Sequence, residues 1–287
     1  MKKIKYFLLL VLAPFIVASL QSCEEVAPDL ELELIPLIDT NYIDSNIETP
    51  QSRMVLVEEF TGVQCVNCPQ GHVVTAQLLD DHPDNVAVIA MHNYFAGPFS
   101  FSHEDYEISE ATTIDDFLGP AVGWPAASID RFDWGGNGEI VYGTGEWVTN
   151  VNNRLSVTPP VNVYLESDFN DNSREMIVTV TLKFNQDVPT DVRFSLSVTE
   201  SGIVDAQQTP SGIDTFYVHE HVLRDMISPA TGFPINVSTP EGRVIIKQFS
   251  FEVPEHWDED HCEVVGFVHR DDGLKTVLQA AKTYVID

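Results

Sequence analysis

The chain has 287 residues, enough for two ordinary domains, and 44% of them are hydrophobic, as in a globular protein. Its 44 acidic residues outnumber its 15 basic residues, so the formal net charge is −29. A surface this acidic repels nucleic-acid phosphates and anionic lipids, which argues against a nucleic-acid-binding protein; a solubilising surface explains the charge better than a specific cation site does.

Residues 1–22 have the layout of a signal peptide. Three lysines occur in the first five residues, and the apolar stretch over residues 6–20 is short for a membrane span. The ending Leu20-Gln21-Ser22-Cys23 resembles a bacterial lipobox, which implies a lipid anchor on Cys23; the alternative is an ordinary secretory signal. Glu24-Glu25 resembles the acidic export tag of Bacteroidetes-type surface lipoproteins. That tag implies the outer membrane, facing either the periplasm or the cell surface.

Three further segments follow the signal peptide. Residues 23–52, rich in acids, Asn and Pro, are predicted to be an extended acidic tether. In residues 53–157 strands and helices alternate, which predicts an α/β domain with a central sheet. The predicted elements are strands 54–60, 86–92 and 126–132 and helices 68–80 and 139–155. An insert at residues 93–122, with a helix-like stretch at 103–118, either lies over the site described next or is an ordinary packed excursion.

Pro159-Pro160 marks the predicted boundary to the last segment, residues 158–287. Hydrophobic residues alternate there with polar ones in several runs, separated by turn signals such as Asn170-Asp171-Asn172. The predicted runs are residues 161–165, 176–184, 192–198, 245–251, 264–268 and 276–285. This pattern predicts an antiparallel β-sandwich, and the segment contains no catalytic motif.

The chemistry concentrates at Cys65-Val66-Asn67-Cys68, between the first predicted strand and helix. Two cysteines at this spacing share one face of a helical turn, and they suit a redox pair, a metal site or a structural disulfide. The strand, turn and helix order places Cys65 at a helix N-terminus. There the helix dipole lowers a cysteine pKa and favours the nucleophilic thiolate.

This arrangement resembles the thioredoxin superfamily. Glu59, six residues before Cys65, matches the buried carboxylate that moves protons for the second cysteine, and Gly123-Trp124-Pro125 matches the cis-proline loop that faces the pair. The resemblance implies Cys65 as attacking thiolate, Cys68 as resolving thiol, Glu59 as proton carrier and Pro125 as the residue that holds a substrate strand. Gln64 departs from the pattern, since a tryptophan is usual there.

With Cys23 assigned to lipid, Cys65 and Cys68 are expected to form a disulfide with each other, and Cys262 remains. A lone cysteine beside a strand is expected to be a small buried hydrophobe, with a resolving role as the alternative. A metal site of Cys65, Cys68 and His72 lacks a fourth ligand, so no metal and no cofactor is predicted.

Taken together, the lipobox, the segment from Glu58 to Gly71, the Gly-Trp-Pro loop and the β-rich second half resemble the outer-membrane-protein-28-related lipoproteins of Bacteroidetes type. The expected fold class is α/β plus all-β, a thioredoxin-like domain followed by an immunoglobulin-like β-sandwich. Two functions remain open: thiol-disulfide exchange on extracytoplasmic proteins or peptides, and a non-catalytic binding or adhesion lipoprotein with a structural disulfide. The expected partners are the membrane and a polypeptide substrate.

Overall fold

The computed structural model describes residues 36–93, 97–121 and 123–286. The predicted signal peptide, Cys23 and the first part of the predicted tether lie outside these residues. Strands dominate, accompanied by three α-helices. The helices are α1 (Cys68–Asp81), α2 (Ser109–Leu118) and α3 (Thr144–Leu155). The strands are β1 (Ile38–Ile43), β2 (Val55–Thr61), β3 (Val86–His92), β4 (Ala126–Ile129), β5 (Val141–Gly143), β6 (Val161–Asn170), β7 (Glu175–Phe184), β8 (Val192–Glu200), β9 (Ile203–Thr209), β10 (Gly212–His219), β11 (Val222–Met226), β12 (Phe233–Pro234), β13 (Arg243–Glu252), β14 (Cys262–Arg270) and β15 (Val277–Tyr284).

A nine-stranded mixed sheet crosses the boundary predicted at Pro159-Pro160. Its strand order is β15-β14-β8-β11-β3-β2-β4-β5, with β12 beside β8. Strands β2 and β3 are parallel, as a helical crossover through α1 requires, and β4 is antiparallel to β2. Val222 of β11 pairs with Ala90 of β3, so strands of the second half continue the sheet of the first half. The sequence pattern changes at the two prolines, but the sheet is not interrupted there.

Two smaller sheets complete the β-structure. The first, ordered β1-β13-β7-β6, is antiparallel and packs its buried side chains against β8 and β14. Apolar residues that alternate along β7, including Met176, Val178 and Val180, form part of this core because every second side chain of a strand points to the same face. The second sheet is the isolated hairpin of β9 and β10.

Strands β2 and β3 are buried on both faces, which explains why both read as continuous hydrophobic runs. On one face Val55, Val57 and Val88 contact Leu78 of α1 and Trp147 of α3. On the other face Leu56 and Phe60 belong to a core that includes residues of α2, β14 and β15. None of the three described helices has the length and apolar character needed to cross a bilayer.

Buried ion pairs connect the two halves of the chain. The carboxylate of Asp130 accepts hydrogen bonds from Arg53, from Arg154 Nε at 2.8 Å and from the backbone N–H of Leu56 at 2.9 Å. Arg53 also donates to the carbonyl of Val277 on β15 at 2.7 Å. Because each of these groups is buried, their mutual hydrogen bonding is what makes the burial of charge tolerable.

The structure differs from the sequence prediction at several places. Within the predicted tether, Ile38–Ile43 forms strand β1, which pairs with β13 although all its side chains are exposed. The predicted strand 126–132 ends at Ile129 because Asp130 and Arg131 adopt positive φ angles of 50° and 49°. The helix predicted over 139–155 begins only at Thr144, after the short strand β5, and the helix in the insert begins only at Ser109.

Candidate functional site

Cys65 and Cys68 form a disulfide whose sulfur atoms are 2.04 Å apart. Cys65 lies in the turn that follows β2, where its N–H donates to Gly62 and its carbonyl accepts from the N–H of Cys68. Cys68 is the first residue of α1 and is fully buried, whereas Cys65 is partly exposed. Cys65 therefore precedes the helix instead of forming part of its first turn, and it is the sulfur that solvent can reach.

Helix α1 approaches β2 closely because Gly71 has no side chain. A Cβ atom at this position would lie 2.4 Å from Glu59 Oε1, 2.9 Å from Pro125 Cβ and 3.1 Å from the ring of Trp147. The first turn of α1, the strand carboxylate and the proline loop therefore meet at a single point. Glu59 and Pro125, both predicted site residues, are brought to the same turn of the helix that begins at Cys68.

Glu59 is a buried carboxyl group, only 1% exposed. Its Oε1 atom has no hydrogen-bond partner among the described residues. Burial raises the pKa of Glu59 to about 8, because a charged carboxylate would lose its hydration, and a hydrogen bond from Thr75 offsets only part of this effect. At neutral pH the side chain is therefore protonated, and it lies beside Gly71, three residues after Cys68 in helix α1.

His72 lies one helical turn beyond Cys68 and is held by two hydroxyl groups. Its Nε2 atom is 2.8 Å from Thr61 Oγ1, and its Nδ1 atom is 2.5 Å from the hydroxyl of Tyr217. The Nε2 atom is also 3.9 Å from Glu59 Oε1. Burial, with a contribution from His219, lowers the pKa of His72 to about 4, so the imidazole is neutral at pH 7.

The loop at Pro125 contains the predicted cis-proline, because the peptide bond between Trp124 and Pro125 is cis. Beside it lies an open groove of about 490 Å³, lined by Asn67 and Gln70 from the start of α1, by residues 123–126 and by residues 141–144. The groove is therefore bordered on one side by the helix turn that carries Cys68 and on the other by the cis-proline loop.

A second cavity reaches Glu59 from the opposite side. It has a volume of about 260 Å³ and is lined by Glu59, His72, Leu79, Asp80, Glu220 and His221, among others. Leu79 contributes apolar atoms to the wall of this cavity, and the other five named residues contribute polar groups. Glu59 therefore lines this cavity and not the groove beside Pro125.

The hairpin of β9 and β10 covers the disulfide turn. Gln207 Nε2 donates to the carbonyls of Gly62 at 3.2 Å and Cys65 at 3.1 Å. The N–H of Gln208 donates to the carbonyl of Val63 at 2.8 Å. The second half of the chain, which has no catalytic motif in its sequence, therefore contributes directly to the geometry of the cysteine pair.

A cluster of buried rings continues inward from this hairpin. His219 lies 5.1 Å from Tyr217, 5.2 Å from Tyr106 and 5.6 Å from His92, measured between ring centroids. Burial lowers the pKa of His92 and of His219, which keeps both imidazoles neutral. His219 is 1% exposed, so it is not a surface residue, although its strand β10 pairs only with β9.

The remaining predicted residues have simpler roles. Cys262 is buried within β14, and burial raises the pKa of its thiol to about 12, so it is the small core hydrophobe that was predicted. Asp133 accepts the N–H groups of Gly136 and Gly138 in a glycine-rich turn before β5. Across the described ranges, no three His, Cys, Asp or Glu side chains are grouped as metal ligands would be. Cys23 lies outside the described residues.

The insert contacts the site at one point that the sequence did not identify. Gln64 Nε2 donates to the carbonyls of Gly97 at 2.9 Å and Pro98 at 3.0 Å. Gln64 stands where the thioredoxin pattern has a tryptophan, and here its amide links the insert to the disulfide turn. Gln207 and Tyr217 were missed entirely, because neither lies in a motif and both are distant from the cysteines in sequence.

Comparison with known proteins matches the chain to a family and to solved structures that include the following two. The profile of the family described as outer membrane protein Omp28 matches residues 119–286, more than half of the chain. HBP35 of Porphyromonas gingivalis aligns with a TM-score of 0.63 at 16% identity, covering 83% of this chain and 77% of that one. Protein AGR_C_4864 from Agrobacterium tumefaciens aligns with a TM-score of 0.52 at 13% identity, covering 83% and 97%. At these identities the likeness concerns the fold alone. No curated protein matches the chain.

Proposed function

Because the chain belongs to the outer membrane protein Omp28 family, which places it at the outer membrane, we propose that it exchanges disulfides with extracytoplasmic polypeptides through Cys65 and Cys68. The observation that carries this proposal is the difference in exposure between the two cysteines, together with a buried carboxyl group near the start of the helix. Cys65 is accessible, Cys68 is buried, and a protonated carboxyl group lies beside the helix that begins at Cys68. Exchange requires one accessible sulfur, a second sulfur within reach and a means of moving one proton.

The proposal also covers the two domains, the signal peptide and the lipid anchor of the chain. Residues 53–157 form a thioredoxin-like unit, supported by the parallel β2 and β3, the crossover helix α1 and the cis-proline loop. Residues 158–287 form an immunoglobulin-like β-sandwich that shares a sheet with it. Residues 1–22 are removed as a signal peptide, residues 23–52 include the tether, and lipid on Cys23 anchors the protein, either in the periplasm or at the cell surface.

The exchange runs through a mixed disulfide. A substrate thiolate attacks the accessible sulfur of Cys65, the Cys65–Cys68 bond breaks, and the leaving thiolate of Cys68 takes the proton of Glu59. The second substrate thiolate then attacks the substrate sulfur of the mixed disulfide and displaces Cys65. The substrate dithiol is oxidised to a disulfide, and the protein disulfide is reduced to two thiols. The reverse reaction uses Glu59 as the base that deprotonates Cys68.

The test is the reduction potential of the Cys65/Cys68 couple in the chain from Glu24 onward, which contains every described residue. An exchange protein is expected to have a potential of about −270 to −180 mV, the range from thioredoxin to disulfide isomerase. Cys68→Ser is expected to trap a mixed disulfide with a client that contains a disulfide, because its Cys65 thiolate attacks the client disulfide and no Cys68 remains to resolve the product; Cys65→Ser is expected to trap none. Cys262→Ser serves as the matched control, because a buried core thiol does not take part.

A binding or adhesion protein with a structural disulfide is the competing function. One observation favours this alternative. Gln207 Nε2 donates a hydrogen bond to the carbonyl of Cys65, which restrains the disulfide turn as expected for a structural disulfide. A couple that stays oxidised below about −300 mV, with no trapping by Cys68→Ser, would overturn the exchange proposal in favour of this alternative.

A further inference from the structure

Three polar side chains of the β9–β10 hairpin are on the inside: Asp205, Gln207 and His219 are all at least 98% buried. Asp205 accepts hydrogen bonds from the N–H of His103 at 2.9 Å and from the hydroxyl of Tyr106 at 3.2 Å. Gln207 donates to the disulfide turn, and His219 Nε2 lies 3.3 Å from the carbonyl of Ala206. The inner side of the hairpin is thus held by hydrogen bonds to the disulfide turn and to the insert.

The apolar side chains of the same hairpin are exposed. Val204 is 49% exposed, Ile213 46%, Phe216 81% and Val218 45%. Val218 and Val204 are directly opposite in the antiparallel register, so they form a cross-strand pair on the outer side. Single exposed hydrophobic residues are ordinary, but four exposed apolar side chains on one hairpin, with Asp205, Gln207 and His219 buried beneath, depart from the usual pattern.

Phe216 is presented by a bulge in β10. The register of the hairpin shifts between Asp214 and Tyr217, and the carboxylate of Asp214 accepts the N–H of Phe216 at 2.9 Å. Bulges redirect side chains and occur beside functional sites. Tyr217, the next residue, contacts His72, so the most exposed aromatic ring of the hairpin is adjacent in sequence to a residue of the disulfide site.

The charge of this surface favours a basic partner. The exposed charged residues within residues 201–223 are Asp214 and Glu220, the segment contains no lysine or arginine, and the whole chain carries a formal net charge of −29. A second copy of the chain and an anionic lipid surface are therefore repelled, whereas a polypeptide with basic residues is attracted. Val66, between the two cysteines, is also exposed.

We propose that the outer side of the hairpin, defined by Val204, Ile213, Phe216 and Val218, docks an extended polypeptide segment that combines apolar and basic side chains. The inference rests on the proposed function in one respect: the docked segment belongs to the client whose sulfur reacts at Cys65. The hairpin then determines which clients are held, and the cysteine pair carries out the chemistry.

The experiment measures binding separately from sulfur chemistry. The probe is a fluorescent peptide of leucine, threonine and lysine without cysteine, added to the oxidised chain from Glu24 onward. Binding is expected for this peptide and not for its analogue with glutamate in place of lysine. Phe216→Ser is expected to weaken binding about tenfold, the loss expected when one aromatic side chain is no longer buried. Leu274→Ser, a similar change at an exposed residue outside the hairpin, is expected to leave binding unchanged.

Equal affinity of the parent and Phe216→Ser overturns the docking proposal, as does equal binding of the lysine and glutamate peptides. A third outcome would also overturn it: the sedimentation coefficient of the parent rises with protein concentration, and that of Phe216→Ser does not. The parent would then dimerise through this surface, and the occupant would be a second copy of the chain. The proposed function fails separately: a couple that resists reduction removes the exchange activity but leaves the affinity for a cysteine-free peptide intact.

Discussion

The Glu59 carboxyl group stays protonated because it is buried and none of the described cationic side chains forms an ion pair with it. Its buried Oε1 faces Gly71 and His72, and the nearest imidazole is itself neutral, since burial lowers its pKa to about 4. A group of this kind makes the stability of the protein depend on pH. The direction of that dependence follows from the folded pKa of about 8, above the ordinary value of 4.5.

Glu59→Gln is expected to become progressively more stable relative to the parent as pH rises from about 4.5 to 8. Below this range Glu59 is protonated in both states of the parent. Within it the unfolded chain releases the proton and the folded chain keeps it, so the parent loses up to about 1.4 kcal/mol per pH unit. Urea unfolding of both proteins across this range measures the difference. Glu166→Gln, at an exposed carboxylate, is the control; a pH-independent difference for Glu59→Gln would contradict the argument.

Arg131 is the sole described partner of the buried Glu58 carboxylate. Its Nε donates to Glu58 Oε2 at 2.8 Å, and its guanidinium carbon lies 4.8 Å from the centre of the Phe267 ring. Arg131→Met leaves the charge of Glu58 buried and unpaired, so the free energy of unfolding is expected to fall by about 3–5 kcal/mol. The double variant Glu58→Gln with Arg131→Met is expected to recover part of this loss. Chemical denaturation of all three proteins tests both statements.

Helix α1 and strand β2 can approach each other only because position 71 is glycine. Gly71→Ala is expected to cost about 1–3 kcal/mol, since the new methyl group would overlap Glu59 Oε1 and Pro125 Cβ. Gly145→Ala is the matched control: this glycine lies in the first turn of α3, and a Cβ there has no neighbour within 4 Å. The control is expected to gain up to about 1 kcal/mol from helix propensity. Equal stability of the two variants, measured by thermal unfolding, would refute the close-packing argument.

The elements around the cysteine pair were predictable because their signals are local. The apolar run of β2, the helical spacing of α1 and the Trp124-Pro125 pair all lie within short windows, and each has the predicted structure. The alternating strands β6, β7 and β8 were predicted for the same reason. Local patterns are informative here because burial shapes the sequence: two buried faces give β2 a continuous apolar run, and one buried face gives β7 its alternation.

The hairpin was not predicted because its pattern is reversed. Apolar residues such as Val204 and Val218 face solvent, while Asp205 and Gln207 are buried. The alternation of apolar and polar residues therefore does not show which side of the hairpin faces the core. The contact of Gln207 with Cys65 joins residues 142 positions apart, and the pairing of Val222 with Ala90 is similarly distant. Such contacts depend on the arrangement of the whole sheet, which no window of the sequence contains.

The continuous sheet predicts that the whole protein unfolds as one unit. Strand β11 hydrogen-bonds to β3, and Arg53 reaches the carbonyl of Val277, so neither half can open without exposing buried polar groups of the other. We expect urea transitions followed by far-UV circular dichroism and by tryptophan fluorescence to coincide. A chain that ends at Pro159 is expected to remain unfolded. Two separated transitions would instead indicate halves that are stable independently.

The contact between Gln207 and Cys65 also has a consequence for biogenesis. The cysteines are synthesised 142 residues before the side chain that braces their turn, and an exported chain emerges from its N-terminus first. During this interval Cys65 and Cys68 meet the oxidants of the envelope before the hairpin can be in place. We therefore expect the cysteine pair to be oxidised or left reduced while the chain is still partly folded. The hairpin then docks on the disulfide turn with the pair in that state.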